Sequence, residues 1–187
     1  MSLEDQGFLS EETAHFQKHI RSRYAKYFDL IDDVNIFCQQ AKYRPLIHDL
    51  DGREIIAACV MIKMLNDLQV AILLVERGLA SQARTLIRVG LEAFIILANI
   101  CCVDDFWRSF ILSDQVARLR LLRAIRDNPS GLLEEDRHQV VPELISQLDQ
   151  DIREHGITEG KVIQLACRVN LMCFYDGAYR LFSQDFH

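Results

Sequence analysis

A chain of 187 residues that is half apolar and 26% charged, with only three prolines and eight glycines, is long enough to bury a substantial core. Its formal charge of −6 argues against broad, non-specific nucleic-acid binding but is compatible with a local basic pocket. Periodicity is helical almost throughout, and no β-branched alternation flanked by turn signals marks a strand. The expectation is an all-α, single-domain helical bundle of six or seven helices spanning residues 1–187, with residues 1–9 as a flexible N-terminus.

The first helix is predicted from Ser10, an N-cap followed by Glu11 and Glu12 where the helix dipole favours anions, to about Gln40. Tyr43 to Gly52, which contains Pro45, interrupts it. A second helix runs from about Arg53 to Gly78, a residue suited to a left-handed C-terminal position, and a third from about Leu79 to Cys102. These two are expected to form an antiparallel hairpin. Asp104 or Asp105 can cap a fourth helix reaching Arg126, and Asn-Pro-Ser-Gly at 128–131 is a turn. A fifth, bent or restarted at Pro142, runs to about His155 and is closed by Gly156; a short helix from Thr158 to Arg168 and a last one from Asn170 follow.

The longest apolar run, Leu91 to Val103, is shorter than the roughly 18–20 residues that span a bilayer, and the longer run Ile55 to Val75 carries Lys63, Asn66, Asp67 and Gln69. No membrane helix is predicted from either. The acidic start MSLEDQGFLSEE lacks a basic segment followed by an apolar one, so the expected location is cytoplasmic. Six cysteines sit mainly among apolar neighbours without a CxxC pair and are expected to be buried free thiols rather than disulfides or zinc ligands.

Two polar stripes carry the functional reading. Arg77, Arg84, Arg88 and Glu92 run through the most apolar part of the chain, where an unpaired charge costs several kcal/mol. Arg88 and Glu92 are i,i+4 neighbours and can pair within a helix, while the guanidinium forks of Arg84 and Arg88 also suit a phosphate. The second stripe places Tyr175, Tyr179, Ser183 and His187 four apart, with Asp176, Arg180 and Gln184 in the same rhythm. A structural ion network and a solvated helix face are the bland readings of these stripes; an anion site shared between them is the sharp one.

Other constellations say less. Glu12, His15 and His19 share a helix face at ligand-like spacing, but no inward Glu-x-x-His occurs on a second helix, so they are read as surface residues and no metal site is predicted. His48 follows Arg44 in a loop and is assigned to local packing. Arg118, Arg120, Arg123 and Arg126 form a basic helix edge, either solvated or facing RNA or a protein partner. The absence of a Gly-rich phosphate loop, a nucleophile elbow and a dinucleotide fingerprint removes the common nucleotide-binding and hydrolase readings, and no cofactor is expected.

The segments ERGLASQARTLIRVGLEAFIIL and EGKVIQLACRVNLMCFYDGAYRLFSQDFH together resemble an uncharacterised bacterial family with Arg-x3-Glu on a central helix and a late Tyr-x3-Tyr-x3-Ser-x3-His. That family is similar in layout to the HEPN superfamily of small helical bundles, many of them metal-independent RNases of toxin–antitoxin and anti-phage systems. The resemblance implies a HEPN-like core in which Arg180 and His187 fit the wide end of the Arg-x(4-6)-His motif. His187 would be the acid/base and Arg180 the clamp on the phosphate, with Arg84, Arg88, Glu92, Asp176, Tyr179 and Ser183 supporting or binding phosphate. It also implies a homodimer, RNA as substrate and an antitoxin or defence-system partner protein. Seven residues of helix separate Arg180 from His187 by about 10 Å along the axis, a gap that two-fold pairing of motifs would close. The alternative from a different class is a non-catalytic helical dimerisation or interaction domain.

Overall fold

The computed structural model describes residues 3–127, 141–155 and 160–183. Among them the chain is all-α, with no strand. The helices are α1 (Leu3–Gln6), α2 (Thr13–Arg23), α3 (Ala25–Ala41), α4 (Gly52–Glu76), α5 (Ala80–Cys102), α6 (Phe106–Asp127), α7 (Val141–His155), α8 (Val162–Arg168), α9 (Met172–Phe174) and α10 (Arg180–Ser183), with a π-turn at Tyr175–Tyr179 between the last two. The chain divides into two compact units, one built from residues 1–102 and 162–187 and the other from 103–161.

In the first unit α4 and α5 form the expected antiparallel hairpin. The Asp51 side chain accepts from the backbone N–H groups of Arg53 and Glu54 at 2.9 and 3.2 Å, which satisfies two of the orphan donors at the start of α4. The turn between the helices depends on Gly78, whose φ is +79° and where a Cβ would lie 2.7 Å from the Phe16 ring. The positive φ strains any larger residue there, and a side chain would also have to displace the Phe16 ring. At the far end Arg53 Nε donates to the Ile100 carbonyl at 2.7 Å and Arg53 Nη2 to that of Cys101. A cation from the first turn of α4 therefore caps the negative end of α5 and sets the hairpin's register.

Ile95, Asn99 and Ile100 of α5 are fully buried, and α8 packs on the same helix. The Asn99 amide donates to the carbonyls of Ile95 at 2.8 Å and Leu165 at 3.0 Å, tying α8 to the hairpin through the one polar side chain at the centre of this packing. By length and composition α4 and α5 are each apolar enough to cross a membrane, with a mean hydropathy of 1.8. In the second unit α6 and α7 bury Leu119 and Ile145, with Leu122, Ile125, Leu148 and Ile152 packed around them. Pro142 stands in the first turn of α7 as described from Val141, where its missing N–H costs nothing; the residues before Val141 lie outside the described residues.

Several expectations are corrected. The single first helix from Ser10 to Gln40 is two helices, because Tyr24, at φ −116° and ψ 28°, leaves the helical region between α2 and α3. Ser10 precedes α2 as a turn residue: its hydroxyl accepts from the Glu12 N–H at 3.1 Å and its carbonyl from the Thr13 hydroxyl at 2.6 Å. The cysteines are free, but Cys59, Cys101, Cys102, Cys167 and Cys173 are exposed and only Cys38 is partly sheltered. Helices that are apolar on nearly every side give no sequence cue to which side is packed. The Asn-Pro-Ser-Gly turn and Gly156 lie outside the described residues.

Candidate functional site

The two polar stripes meet at Tyr179. Arg88 Nη1 of α5 donates to the Tyr179 hydroxyl at 3.4 Å, and the same guanidinium lies 5.8 Å from the centre of the Tyr179 ring. Burial raises the Tyr179 phenol above its ordinary pKa, and the Glu92 carboxylate raises it further, while the Arg88 guanidinium opposes both. Residues 88, 92 and 179 thus share one electrostatic neighbourhood although 91 positions separate the Arg from the Tyr. The same contact holds the C-terminal segment on α5, together with an edge-on pairing of Phe94 and Phe174 at 5.7 Å.

The C-terminal stripe does not keep the plain helical rhythm. The Arg180 N–H reaches back five residues to the Tyr175 carbonyl, the hydrogen bond of a π-turn. Tyr175 and Tyr179 stack with ring centres 5.1 Å apart, and the Ser183 hydroxyl donates to the Tyr179 carbonyl at 2.7 Å. Arg180 points outward: its side chain is 66% exposed and pairs with Asp176 at 3.2 Å. His187 lies outside the described residues.

The central stripe is less buried than its sequence surroundings imply. Arg77 and Arg84 are exposed, whereas Arg88 and Glu92 are half-buried. Each step of four residues advances about 40° beyond a full turn, so a line that begins in water at Arg84 swings toward the packed side by Arg88 and Glu92. Arg84 is therefore not a core charge. The basic edge of α6 is largely matched by carboxylates, with Arg118 on Asp114 at 2.5 Å, Arg123 on Asp149 at 2.7 Å and Arg126 on Asp127 at 2.8 Å. His15 and His19 are exposed on α2, His48 meets Glu54 at 2.8 Å, and no cluster able to hold a metal ion occurs among the described residues.

A second polar cluster escaped the sequence reading. Glu76, at the end of α4, is only 2% exposed. Its carboxylate accepts from Arg21 Nε and Gln17 Nε2, each at 2.5 Å, and Arg21 also donates to Asp32 at 2.9 Å. Hydrogen bonds from Arg21 hold the Asp32 carboxyl below its usual range. Gln69 donates to Asn35 at 3.1 Å nearby, and together these groups line a cleft of about 530 Å³ between α2, α3 and α4. The available signal was an isolated acid closing a 25-residue apolar helix. Its partners lie 55 and 59 positions upstream, beyond the reach of any helical spacing.

Residues 54–187 match the profile of DUF5677, a family of unknown function. This chain belongs to the DUF5677 family. The match takes in both stripes, whereas α2, α3 and the Arg21 side of the Glu76 cluster precede it. No curated protein and no solved structure matches this DUF5677 chain.

Tyr179 also reports on the site. Glu92→Gln is expected to lower its pKa and Arg88→Met to raise it, read by phenolate absorbance against a Tyr175→Phe background. Because the folded phenol titrates above its unfolded value of roughly 10, its contribution to stability is present below that pH and is lost as pH rises through the folded value. Identical titrations in all three proteins would place Glu92 and Arg88 out of electrostatic range of Tyr179.

Proposed function

We propose that this DUF5677 chain is a HEPN-like, metal-independent endoribonuclease that acts in the cytoplasm as a homodimer, as a toxin or defence effector held in check by a partner protein. The observation that supports this reading is the convergence of the stripes. Arg88 and Tyr179 join the central helix to the C-terminal segment, and the next residue, Arg180, carries its cation to the water-facing side.

In this reading Arg180 faces the scissile phosphate and His187 moves the proton. The ribose 2′-hydroxyl loses its proton to a base and attacks phosphorus, the bond to the 5′-oxygen breaks, and that oxygen takes up a proton as it leaves. An imidazole near neutral pH can serve such transfers, and a guanidinium offsets the charge that develops on the phosphoryl oxygens. The Asp176 contact does not disable Arg180. An exposed i,i+4 pair is worth about 0.3–0.5 kcal/mol, so a phosphate oxygen can take the place of the carboxylate at little cost. A pair of His187 motifs related by a two-fold axis would bring the separated Arg and His functions to one phosphate.

Inducible expression is expected to arrest growth, and His187→Ala or Arg180→Ala to relieve the arrest at equal protein levels. Equal toxicity of all three forms contradicts the reading. The second reading, a non-catalytic interaction domain, is favoured by one observation: Asp176 already neutralises Arg180 within its own helix turn. It predicts no RNA cleavage and no effect of Arg180→Ala on folding beyond a few tenths of a kcal/mol.

A further inference from the structure

One face of α4 is exposed along most of its length. Ile55, Cys59, Ile62, Asn66, Val70 and Leu73 are all exposed, and at 3.6 residues per turn they fall in a single stripe about 27 Å long. Asn66 is its one amide, and the rest are aliphatic or thiol side chains. A continuous apolar face of this kind, unlike single scattered residues, marks a contact surface.

The order of residues and charges along the stripe points to its occupant. It is nearly palindromic about residue 64, with Ile55 answering Leu73, Cys59 answering Val70 and Ile62 answering Asn66. A second α4 laid antiparallel across a two-fold axis therefore meets it apolar against apolar at both ends, as an isologous contact requires. Lys63 and Asp67 lie on one flank of the stripe and pair within the helix at 2.6 Å. In an antiparallel pair equal flanks meet, so Lys63 of each copy stands opposite Asp67 of the other. In a parallel pair that flank would meet the one carrying Ala58 and Gln69, where no charge answers it. Asn66 falls about 4 Å along the axis from its own copy, within reach of an amide–amide hydrogen bond that would fix the register.

A bilayer is the competing occupant, since α4 is apolar enough to cross one. The charges oppose it. Lys63, Asn66 and Asp67 stand at the middle of Gly52–Glu76, where a membrane would hold them at the most costly depth. We propose that α4 is a self-association surface, paired antiparallel with α4 of a second copy through the Ile55–Leu73 stripe and two reciprocal Lys63–Asp67 contacts. The pairing stands on α4 alone and is independent of the nuclease reading, so its test uses no RNA.

Sedimentation velocity of the full chain over a series of concentrations is expected to show a monomer–dimer equilibrium. Ile62→Glu should weaken it by roughly 100-fold or more with helicity unchanged in far-UV circular dichroism. Lys63→Asp should weaken it roughly tenfold, and Lys63→Asp combined with Asp67→Lys should restore it. Mild oxidation of Val70→Cys should give a cross-linked dimer in which Cys59 is joined to the cysteine introduced at 70. These positions are about 16 Å apart along one helix, so that link joins two copies. The proposal is overturned by a monomer at every concentration, by a dimer that Ile62→Glu leaves intact, by a charge exchange that fails to restore assembly, or by a Cys59–Cys59 link, which parallel helices would give. A monomeric chain that co-sediments with phosphatidylcholine–phosphatidylglycerol vesicles would assign the face to a membrane and would also overturn it.

Discussion

Replacing Glu76 with alanine is expected to lower stability by about 2–3 kcal/mol, a fall in Tm of roughly 5–10 °C for a chain of this size. The carboxylate is 2% exposed and both its oxygens are engaged, one by Arg21 and one by Gln17. Breaking a buried pair by removing one partner typically costs about 3–5 kcal/mol, because the other charge is left uncompensated. Here the remaining charge is less stranded: the Arg21 side chain is 41% exposed and still reaches Asp32. The expected loss therefore falls below that range. Denaturant unfolding measures it, and hydrogen exchange should show the loss of protection concentrated in α2 and α3, which the cluster fastens to α4. The double replacement Arg21→Met with Glu76→Leu is expected to recover most of the loss, since an apolar pair of similar volume needs no desolvation of charge. A change under about 0.5 kcal/mol for Glu76→Ala would mean that the cluster is solvated and fastens nothing.

Asn99→Asp is expected to be more damaging, by about 3–5 kcal/mol. The Asn99 side chain is fully buried and its NH2 group serves two carbonyls, one on its own helix and one on α8. An aspartate at that position has no hydrogen to offer either carbonyl when ionised, and a buried, uncompensated carboxylate forces either protonation or local opening. Asn99→Leu keeps the volume and removes only the donors, leaving the Leu165 carbonyl unmet, so a smaller loss of about 1–3 kcal/mol is expected. Chemical denaturation of the three proteins gives the ranking. An Asn99→Asp protein within about 0.5 kcal/mol of the parent would place Asn99 in water rather than between α5 and α8.

The ranking also bears on why α4 and α5 can be read in two ways. Their composition suffices to cross a bilayer, yet each carries a polar group tied to another part of the protein: Glu76 to α2 and Asn99 to α8. These ties hold the hairpin within the first unit and fix which of its apolar sides faces inward.

Much of the helical outline was legible because its causes are local. The hairpin followed from two long apolar stretches on either side of Gly78, whose positive φ only glycine adopts cheaply. The break at Tyr24 was not legible, since no glycine or proline marks it and the helical spacing of charges continues through it. The π-turn was hidden for a related reason: a four-residue rhythm in Tyr175, Tyr179 and Ser183 reads as ordinary helix until the hydrogen bond to Arg180 shows otherwise. Of the site, the meeting of the two stripes was foreseeable in kind, because half-buried arginine needs a partner. The identity of that partner was not, since Tyr179 is 91 residues from Arg88. Arg84 and five cysteines are exposed despite their apolar sequence neighbours, because neighbours in sequence are not neighbours in space. Glu76 carries no local cue to its burial, since its partners Arg21 and Gln17 lie 55 and 59 positions away.

The proposal of a metal-independent nuclease stands on the Arg180 cation and the His187 imidazole, and one assay reaches it directly. Purified protein is incubated with a fluorescently labelled single-stranded RNA in excess EDTA, and the rate of phosphodiester cleavage is compared for the parent, Arg180→Ala and His187→Ala. The parent is expected to cleave, and each replacement to slow cleavage by roughly 100-fold or more, in line with removal of a positioned acid/base or of a charge-stabilising group. An intact RNA in every sample, or equal cleavage by all three proteins, would contradict it.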